Sequence, residues 1–407
     1  MRASLATTMC LIVTTPAFAA PLTFNTALDA ASSAPSVAAR AGAVDAVRSS
    51  AIPARQLPDP KLEVGLKDFP VDGPNAGSFT RDNFTMQTIG VAQAFPSLAK
   101  RRAQAGRAAT DIGAAEAAVD VETRTVRTAT ALAWIDLHFA ERRLALLDRV
   151  DAGIAALIRT APARLAAGKA RPSQALEPRQ LAADLGDRRA TLVAEVAKAR
   201  TALARWTGDP SPQAVGPVPA WAVDPTALRA SLGKLPILRA ADAATAQADA
   251  DVRLAQAGRH PDWEVDAIYG RREPRYGDLV SVGVRVDLPL FARRRQDPLI
   301  AARAADAQRA RLDREAAERE QVAALESDLA DHAMHHDRYA RAKATLVPLA
   351  HERADLDRAS YGAGTTDLGT TLESKLVAIR ADLDAVDREA EVVRDGVRIN
   401  LTYGDIR

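Results

Sequence analysis

Two kinds of periodicity alternate along this chain. From Lys61 to Lys67 polar and apolar residues change places at every step, Leu62, Val64 and Leu66 against Lys61, Glu63 and Lys67. The same period runs from Val280 to Leu288: Val280, Val282, Val284, Val286 and Leu288 share one face, and Ser281, Gly283, Arg285 and Asp287 the other. Trp263, Val265, Ala267 and Tyr269 likewise alternate with Glu264, Asp266 and Ile268. Period two predicts strands at about 60–67, 84–95, 263–270 and 278–288, paired as two hairpins. After each hairpin the period changes to seven. Val126, Ala133, Ala140, Leu147 and Ile154 recur at that spacing, as do Leu372, Ile379, Val386 and Val393, with Leu376, Leu383, Ala390 and Val397 as a second seam. Sustained heptads predict long, left-handed supercoiled helices at about 98–160, 172–206, 290–360 and 367–403. The first would be roughly 95 Å long at 1.5 Å per residue.

The pattern occurs twice. Ile89-Gly90-Val91-Ala92-Gln93-Ala94-Phe95-Pro96-Ser97-Leu98-Ala99-Lys100-Arg101-Arg102 returns as Val282-Gly283-Val284-Arg285-Val286-Asp287-Leu288-Pro289-Leu290-Phe291-Ala292-Arg293-Arg294-Arg295. Both read as a strand, a Pro that ends it, and a basic opening to a helix. Further landmarks match: the segment from Gly168 to Leu176-Glu177 pairs with that from Gly364 to Leu372-Glu373, and Gly208-Asp209 with Gly404-Asp405. Residues 22–50 read as a helix broken near Pro35 and capped by Thr26. The chain is thus expected to hold two repeats, about 21–206 and 225–407, joined by a Pro-rich connector at 207–224.

Composition narrows the function. Lys and Arg number 54 against 52 Asp and Glu, a formal charge of +2, which gives no electrostatic case for nucleic acid. Arg2, the apolar run Leu5–Val13 and Ala17-Phe18-Ala19 predict a signal peptide over residues 1–20. The one cysteine, Cys10, lies inside it, so the mature chain would have no disulfide or thiolate site. No apolar run reaches the ~20 residues of a spanning helix. No nucleophile elbow, phosphate-binding loop or HExxH is present, so neither an enzyme nor a cofactor is expected. A soluble sheet packed on a core shows the same alternation as a barrel, but isolated hairpins are marginal in water. Four strands cannot close a barrel, for which about eight is the minimum; three chains would supply twelve and hide every sheet edge.

On these residues the chain resembles the TolC-type outer-membrane efflux proteins. The resemblance is carried by the duplicated strand-Pro-basic-helix unit, the two Gly-containing turns and the two Gly-Asp helix ends, and it covers nearly all of the mature sequence. Leu57-Pro58-Asp59-Pro60-Lys61-Leu62, with Asp82-Asn83-Phe84-Thr85-Met86 and the segment Ile89–Pro96, is similar to the heavy-metal (cobalt-zinc-cadmium/copper) efflux branch. The resemblance implies a mostly α fold with a β-barrel part: a homotrimer with a twelve-stranded transmembrane barrel in outer-membrane lipid, continued by a periplasmic coiled-coil α-barrel. It implies two partners, a periplasmic adaptor (membrane fusion) protein and an inner-membrane resistance-nodulation-division-type pump, and passive conduction of heavy-metal cations. The alternative is a periplasmic coiled-coil adaptor or scaffold without a membrane barrel.

In a channel, rings of side chains set what passes. Lys61, Glu63, Glu264, Asp266, Arg285 and Asp287 are the expected lumen residues, and Val280, Val282, Val284, Val286 and Leu288 the lipid-facing ones. The resemblance places Gly168, Leu176, Glu177, Gly364, Asp367, Thr370, Leu372 and Glu373 at a periplasmic tip that contacts the adaptor or gates the entrance. Family members carry acids six and nine residues after the second tip Gly; here those positions are Thr370 and Glu373. His332 and His336, one helical turn apart, are candidate metal ligands with His335. They lack a third well-spaced ligand, so no metal is expected and the cluster reads as a polar helix surface.

Overall fold

The computed structural model describes the backbone of residues 21–166 and 176–405, and the side chains of these except 149–166 and 178. The expected signal peptide and Gly168 lie outside the described residues. In chain order the first repeat contains β1 (Pro21–Leu22), α1 (Phe24–Ala31), α2 (Pro35–Ala51), β2 (Lys61–Lys67), β3 (Met86–Phe95), α3 (Leu98–Ala166) and α4 (Glu177–Thr207). Then come β4 (Gln213–Ala214), α5 (Pro225–Ser231), α6 (Pro236–Ala257), β5 (Trp263–Arg271), β6 (Leu279–Val286), α7 (Gln296–Arg341), α8 (Val347–Ala363) and α9 (Leu368–Tyr403).

The break before Pro35 falls between α1 and α2, where Pro occupies the first helical position and needs no N–H partner. The cap of α1 is Thr23 rather than Thr26. The Thr23 hydroxyl accepts from the Thr26 N–H at 3.3 Å, while the Thr26 hydroxyl donates back to the Thr23 carbonyl at 2.9 Å. Thr26 is thereby committed inside the first turn. The helix expected over 290–360 starts later, at Gln296, and is interrupted by a π turn at Ala342–Leu346. Pro348 lies two residues beyond the turn. Having no N–H to donate, it breaks the regular ladder, and the widened turn absorbs the mismatch.

The chain divides into two compact units. One comprises Pro35–Glu122 and Leu232–Ala323, the other the residues to Ala34, Thr123–Ser231 and those from Ala324. The first contains one four-stranded sheet of order β2-β3-β5-β6, antiparallel throughout. The two expected hairpins are therefore fused through β3 and β5. Interhelical ion pairs support this unit, among them Arg239 with Asp120 at 3.1 Å and Arg311 with Asp249 at 2.6 Å.

The second unit is helical, and its core is the heptad seam. Val126, Ala133, Ala140 and Leu147 of α3 are buried, as are Ile379, Leu383, Val386 and Val397 of α9. Trp134, Leu137 and Phe139 pack with Leu203 of α4, Leu401 of α9, and Phe24 and Leu28 of α1. Phe24 meets Trp134 edge-on at 5.5 Å and Trp221 at 5.7 Å. The Trp134 indole N–H donates to the Leu22 carbonyl at 2.8 Å, which satisfies its one polar atom and fixes β1 beside it. We predict that Trp134→Ala destabilises the purified protein by about 3–5 kcal/mol and Trp134→Phe by clearly less. Thermal unfolding followed by far-UV circular dichroism checks this; equal losses would show that the hydrogen bond, not the volume, dominates.

Candidate functional site

Strand register decides which residues share a face, because directly paired residues lie on the same side of a sheet. Leu62, Val91, Ala267 and Val282 form one cross-strand row, Val64, Ile89, Tyr269 and Val280 another, and Phe95, Trp263 and Val286 a third. This face carries no charge in those rows and is open, with Val64 74% and Val280 73% exposed. Val280, Val282, Val284 and Val286 all lie on it; Leu288 lies two residues beyond β6 and is exposed too. The opposite face holds Lys61, Ala92, Asp266 and Gly283 in one row, Glu63, Gly90, Ile268 and Ser281 in the next, and Ala94, Glu264 and Arg285 in a third. Asp287 falls past β6, where its N–H donates to the Asp262 carbonyl at 3.0 Å.

The charged face is the crowded one. Gly65, Gly90, Gly270 and Gly283, the glycines of these strands, all lie on it. A Cβ at Gly283 would come 2.8 Å from an Asp266 carboxylate oxygen, and one at Gly90 would come 2.8 Å from Ile268. Ala92 is 1% and Asp266 8% exposed. The glycines paired with Asp266 and Ile268 leave the room that these larger side chains take on this face. The charges there are partly paired. Glu264 accepts from Arg285 at 2.5 Å and lies 3.7 Å from Lys61; Arg285 also reaches Asp266 at 3.4 Å. Glu63 is exposed and has no ion pair among the described residues.

The loops beyond the strands are tied by a residue that the sequence does not single out. Arg272 donates to the carbonyls of Tyr276 at 2.7 Å, Gly277 at 2.8 Å and Asn83 at 3.1 Å, and Arg275 donates to Thr80 at 3.1 Å. Backbone carbonyls as partners leave no mark in a sequence pattern, which is why it is missed.

At the other candidate site, Gly364 ends α8 with φ of +80°, a left-handed conformation that glycine adopts without strain. Asp367 caps α9, its carboxylate accepting from the Thr370 N–H at 2.8 Å. Leu372, 5% exposed, packs with Leu368, Leu147, Leu181, Leu185 and Leu192. Leu176 is 61% exposed and Glu373 is also exposed. Glu177 opens α4 and reaches α9: one of its carboxylate oxygens lies 3.2 Å from where a Gly369 Cβ would stand, without a hydrogen-bond partner among the described residues. Of the eight expected tip residues the structure describes seven: a cap at Asp367, a turn at Gly364, a buried contact at Leu372, the half-buried Glu177, and the exposed Leu176, Thr370 and Glu373.

The histidines serve the helix packing. His335 Nδ1 lies 2.7 Å from the buried Asp395 of α9, whose carboxylate also meets Arg398 at 3.4 Å. Arg398 pairs with Asp328 at 2.6 Å, and the Tyr403 hydroxyl donates to Asp328 at 3.0 Å. Burial, followed by that hydrogen bond, pushes the Tyr403 phenol up to about 12. The rings of His332 and His336 stand 6.5 Å apart. Among the described residues no three His, Cys, Asp or Glu side chains are placed to hold a metal ion. No described helix is long and apolar enough to cross a membrane.

No protein-family model matches the chain, and no curated protein matches it in sequence. Solved structures do match its fold. A membrane protein from Pseudomonas aeruginosa aligns with a TM-score of 0.81 at 16% identity, over 94% of this chain and 90% of that one. The CmeC outer membrane channel of Campylobacter jejuni aligns at 0.79 and 11% identity, over 94% and 85%. The outer membrane protein VceC of Vibrio cholerae aligns at 0.77 and 18% identity, over 94% and 96%. The chain is therefore mostly helical with some sheet, in the fold of the TolC-type outer-membrane channels.

Two expectations follow from this geometry. Gly364→Val forces a β-branched side chain into a left-handed conformation and costs roughly 1–2 kcal/mol, whereas Gly364→Asn costs less; comparative thermal melts test the order. Burial pushes His332 down from 6.5, and burial followed by the neighbouring Arg142 does the same to His138. The unfolded chain then binds protons more readily, so this stability is complete above pH 6.5 and is lost as the pH falls below it. A melt series from pH 7.5 to 5 should show a shallower loss in the double variant His138→Gln, His332→Gln than in the parent chain. An identical slope would contradict it.

Proposed function

We propose that three copies of this chain form an outer-membrane channel that passively conducts solute delivered from a periplasmic adaptor and an inner-membrane pump of the resistance-nodulation-division type. The observation that carries this reading is the sheet: an exposed face, apolar along its valine rows with Arg271 as its one charge at the end of β5, backs a charged, glycine-crowded one. Water accounts for the second face, and lipid accounts for the first. Among the described residues β2 and β6 each have one unpaired edge. The strands alternate in direction, so β6 of one copy can pair antiparallel with β2 of the next, and three copies close a twelve-stranded ring. The likeness in fold to outer-membrane channels supports the same arrangement.

In this reading Lys61, Glu63, Glu264, Asp266, Arg285 and Asp287 line the lumen, and the valine rows face lipid. Glu264 and Asp266 are balanced by Lys61 and Arg285, which leaves Glu63 and Asp287 as the acids that bias passage toward cations, heavy-metal ions being the cargo the sequence resemblance favours. Leu176 and Glu373 are the exposed tip positions for an adaptor or for a narrowed entrance. The chain would be exported by the segment 1–20.

Extraction from outer membranes and recording in planar lipid bilayers test the proposal. A heat-labile trimer that needs detergent and gives discrete conductance steps is expected; a monomer in the soluble periplasmic fraction would refute it and favour an adaptor or scaffold. In the same recordings Glu63→Lys should shift the reversal potential under a salt gradient toward anions. Glu373→Ala should weaken block by divalent cations, and unchanged block would remove Glu373 from the entrance.

A further inference from the structure

The point where strand gives way to helix has the same chemistry in both repeats, and channel conduction does not use it. At the first of these junctions an open cavity of about 550 Å³ is lined by Phe95, Leu98, Arg101 and Arg102 of the first repeat and by His260 and Trp263 of the second. Arg101 has its Nε buried without a hydrogen-bond partner among the described residues. Neither Arg101 nor Arg102 has an ion pair among them, although arginines further along the same unit do: Arg107 with Asp251 at 2.5 Å, Arg311 with Asp249 at 2.6 Å, Arg314 with Asp242 at 3.0 Å. The carboxylate at this junction is already engaged. Asp262 accepts from Lys100 at 2.6 Å and from the Ser97 N–H at 2.7 Å. Burial raises its pKa, but those two contacts outweigh it and hold the group below the usual carboxylate range.

The second repeat presents the same pairing on an open surface. Leu290 is 75% and Phe291 68% exposed, and Arg293, Arg294 and Arg295 follow them, exposed and without an ion pair among the described residues. Apolar and aromatic side chains beside unpaired arginines suit the boundary between hydrocarbon and headgroups. A guanidinium matches a phosphate with two parallel hydrogen bonds. Free phosphate would satisfy the arginines and leave Phe95, Leu98 and Trp263 uncovered.

We propose that the cavity at Arg101 and Arg102 binds an anionic phospholipid of the periplasmic leaflet, its phosphate on the two arginines and its chains along Phe95, Leu98 and Trp263, with Leu290–Arg295 as a second, shallower contact. This rests on the channel reading, which sets the junction at the periplasmic edge of the barrel. The test is native mass spectrometry of protein released from bilayers of equal phosphatidylglycerol and phosphatidylcholine, with the heat-labile trimer scored in the same samples. The parent chain should retain phosphatidylglycerol in preference. Arg101→Gln with Arg102→Gln should reduce that retention by roughly tenfold or more, each interfacial arginine contributing about fivefold, while Arg101→Lys with Arg102→Lys keeps most of it. Equal retention of both lipids by the parent, an unchanged preference in the glutamine variant, or full displacement by inorganic phosphate would overturn the proposal while a trimer that inserts leaves the channel reading standing. Failure to enter bilayers at all would overturn both.

Discussion

Nine residues of β3 pair with nine of β5, from Gln87 opposite Arg271 to Phe95 opposite Trp263. That ladder fuses two hairpins from distant parts of the chain into one sheet, and the meaning of every other strand residue depends on its register. A slip of one residue would turn the side chains of a strand to the other face, setting Glu264 and Asp266 among the valines. Three local features resist such a slip. Gly90 leaves room for Ile268, Gly283 leaves room for Asp266, and Glu264 is held by Arg285. The same small residues crowd the charged face, so register and the packing of that face have a common origin.

The helical unit obeys a different constraint. Its heptad seams are filled largely by small and branched apolar residues, and the large aromatics of its core are Trp134 and Phe139 of α3 and Phe24 of α1. Polar contacts between helices are mostly ion pairs with at least one partly exposed partner, such as Arg143 with Asp387 at 2.8 Å and Arg394 with Asp136 at 2.6 Å. Pairs of this kind add little stability each and chiefly fix which helix lies beside which. The tip follows from two backbone requirements, a left-handed glycine at 364 and an acidic cap at 367, before any question of gating arises.

Much of this was legible in the sequence, and the misses have physical causes. Period two located the four strands to within two residues or so, because alternation is a property of one strand facing two environments. It could not tell that the hairpins fuse, since pairing between β3 and β5 depends on contacts far apart in the chain. The six lumen candidates were chosen as single charges; that Arg285 and Lys61 neutralise Glu264 depends on a register no sequence pattern supplies. Heptads foretold α3 and α9 well but passed over Pro348, whose effect is a missing donor rather than a change in apolarity. Thr26 was the expected cap, and only the direction of its hydrogen bonds with Thr23 shows that Thr23 takes that place. Glu177 illustrates the remaining gap: its approach to Gly369 joins segments that the duplication sets far apart.

The central claim is that one face of the sheet meets lipid and the other meets water. Nitroxide labels at Val282 and at Arg285, three residues apart on opposite faces of β6, measure this directly through relaxation by oxygen and by a water-soluble nickel chelate. The account predicts that, in reconstituted bilayers, the label at 282 is relaxed mainly by oxygen and the label at 285 mainly by the chelate. Equal access of the chelate to both positions would contradict it.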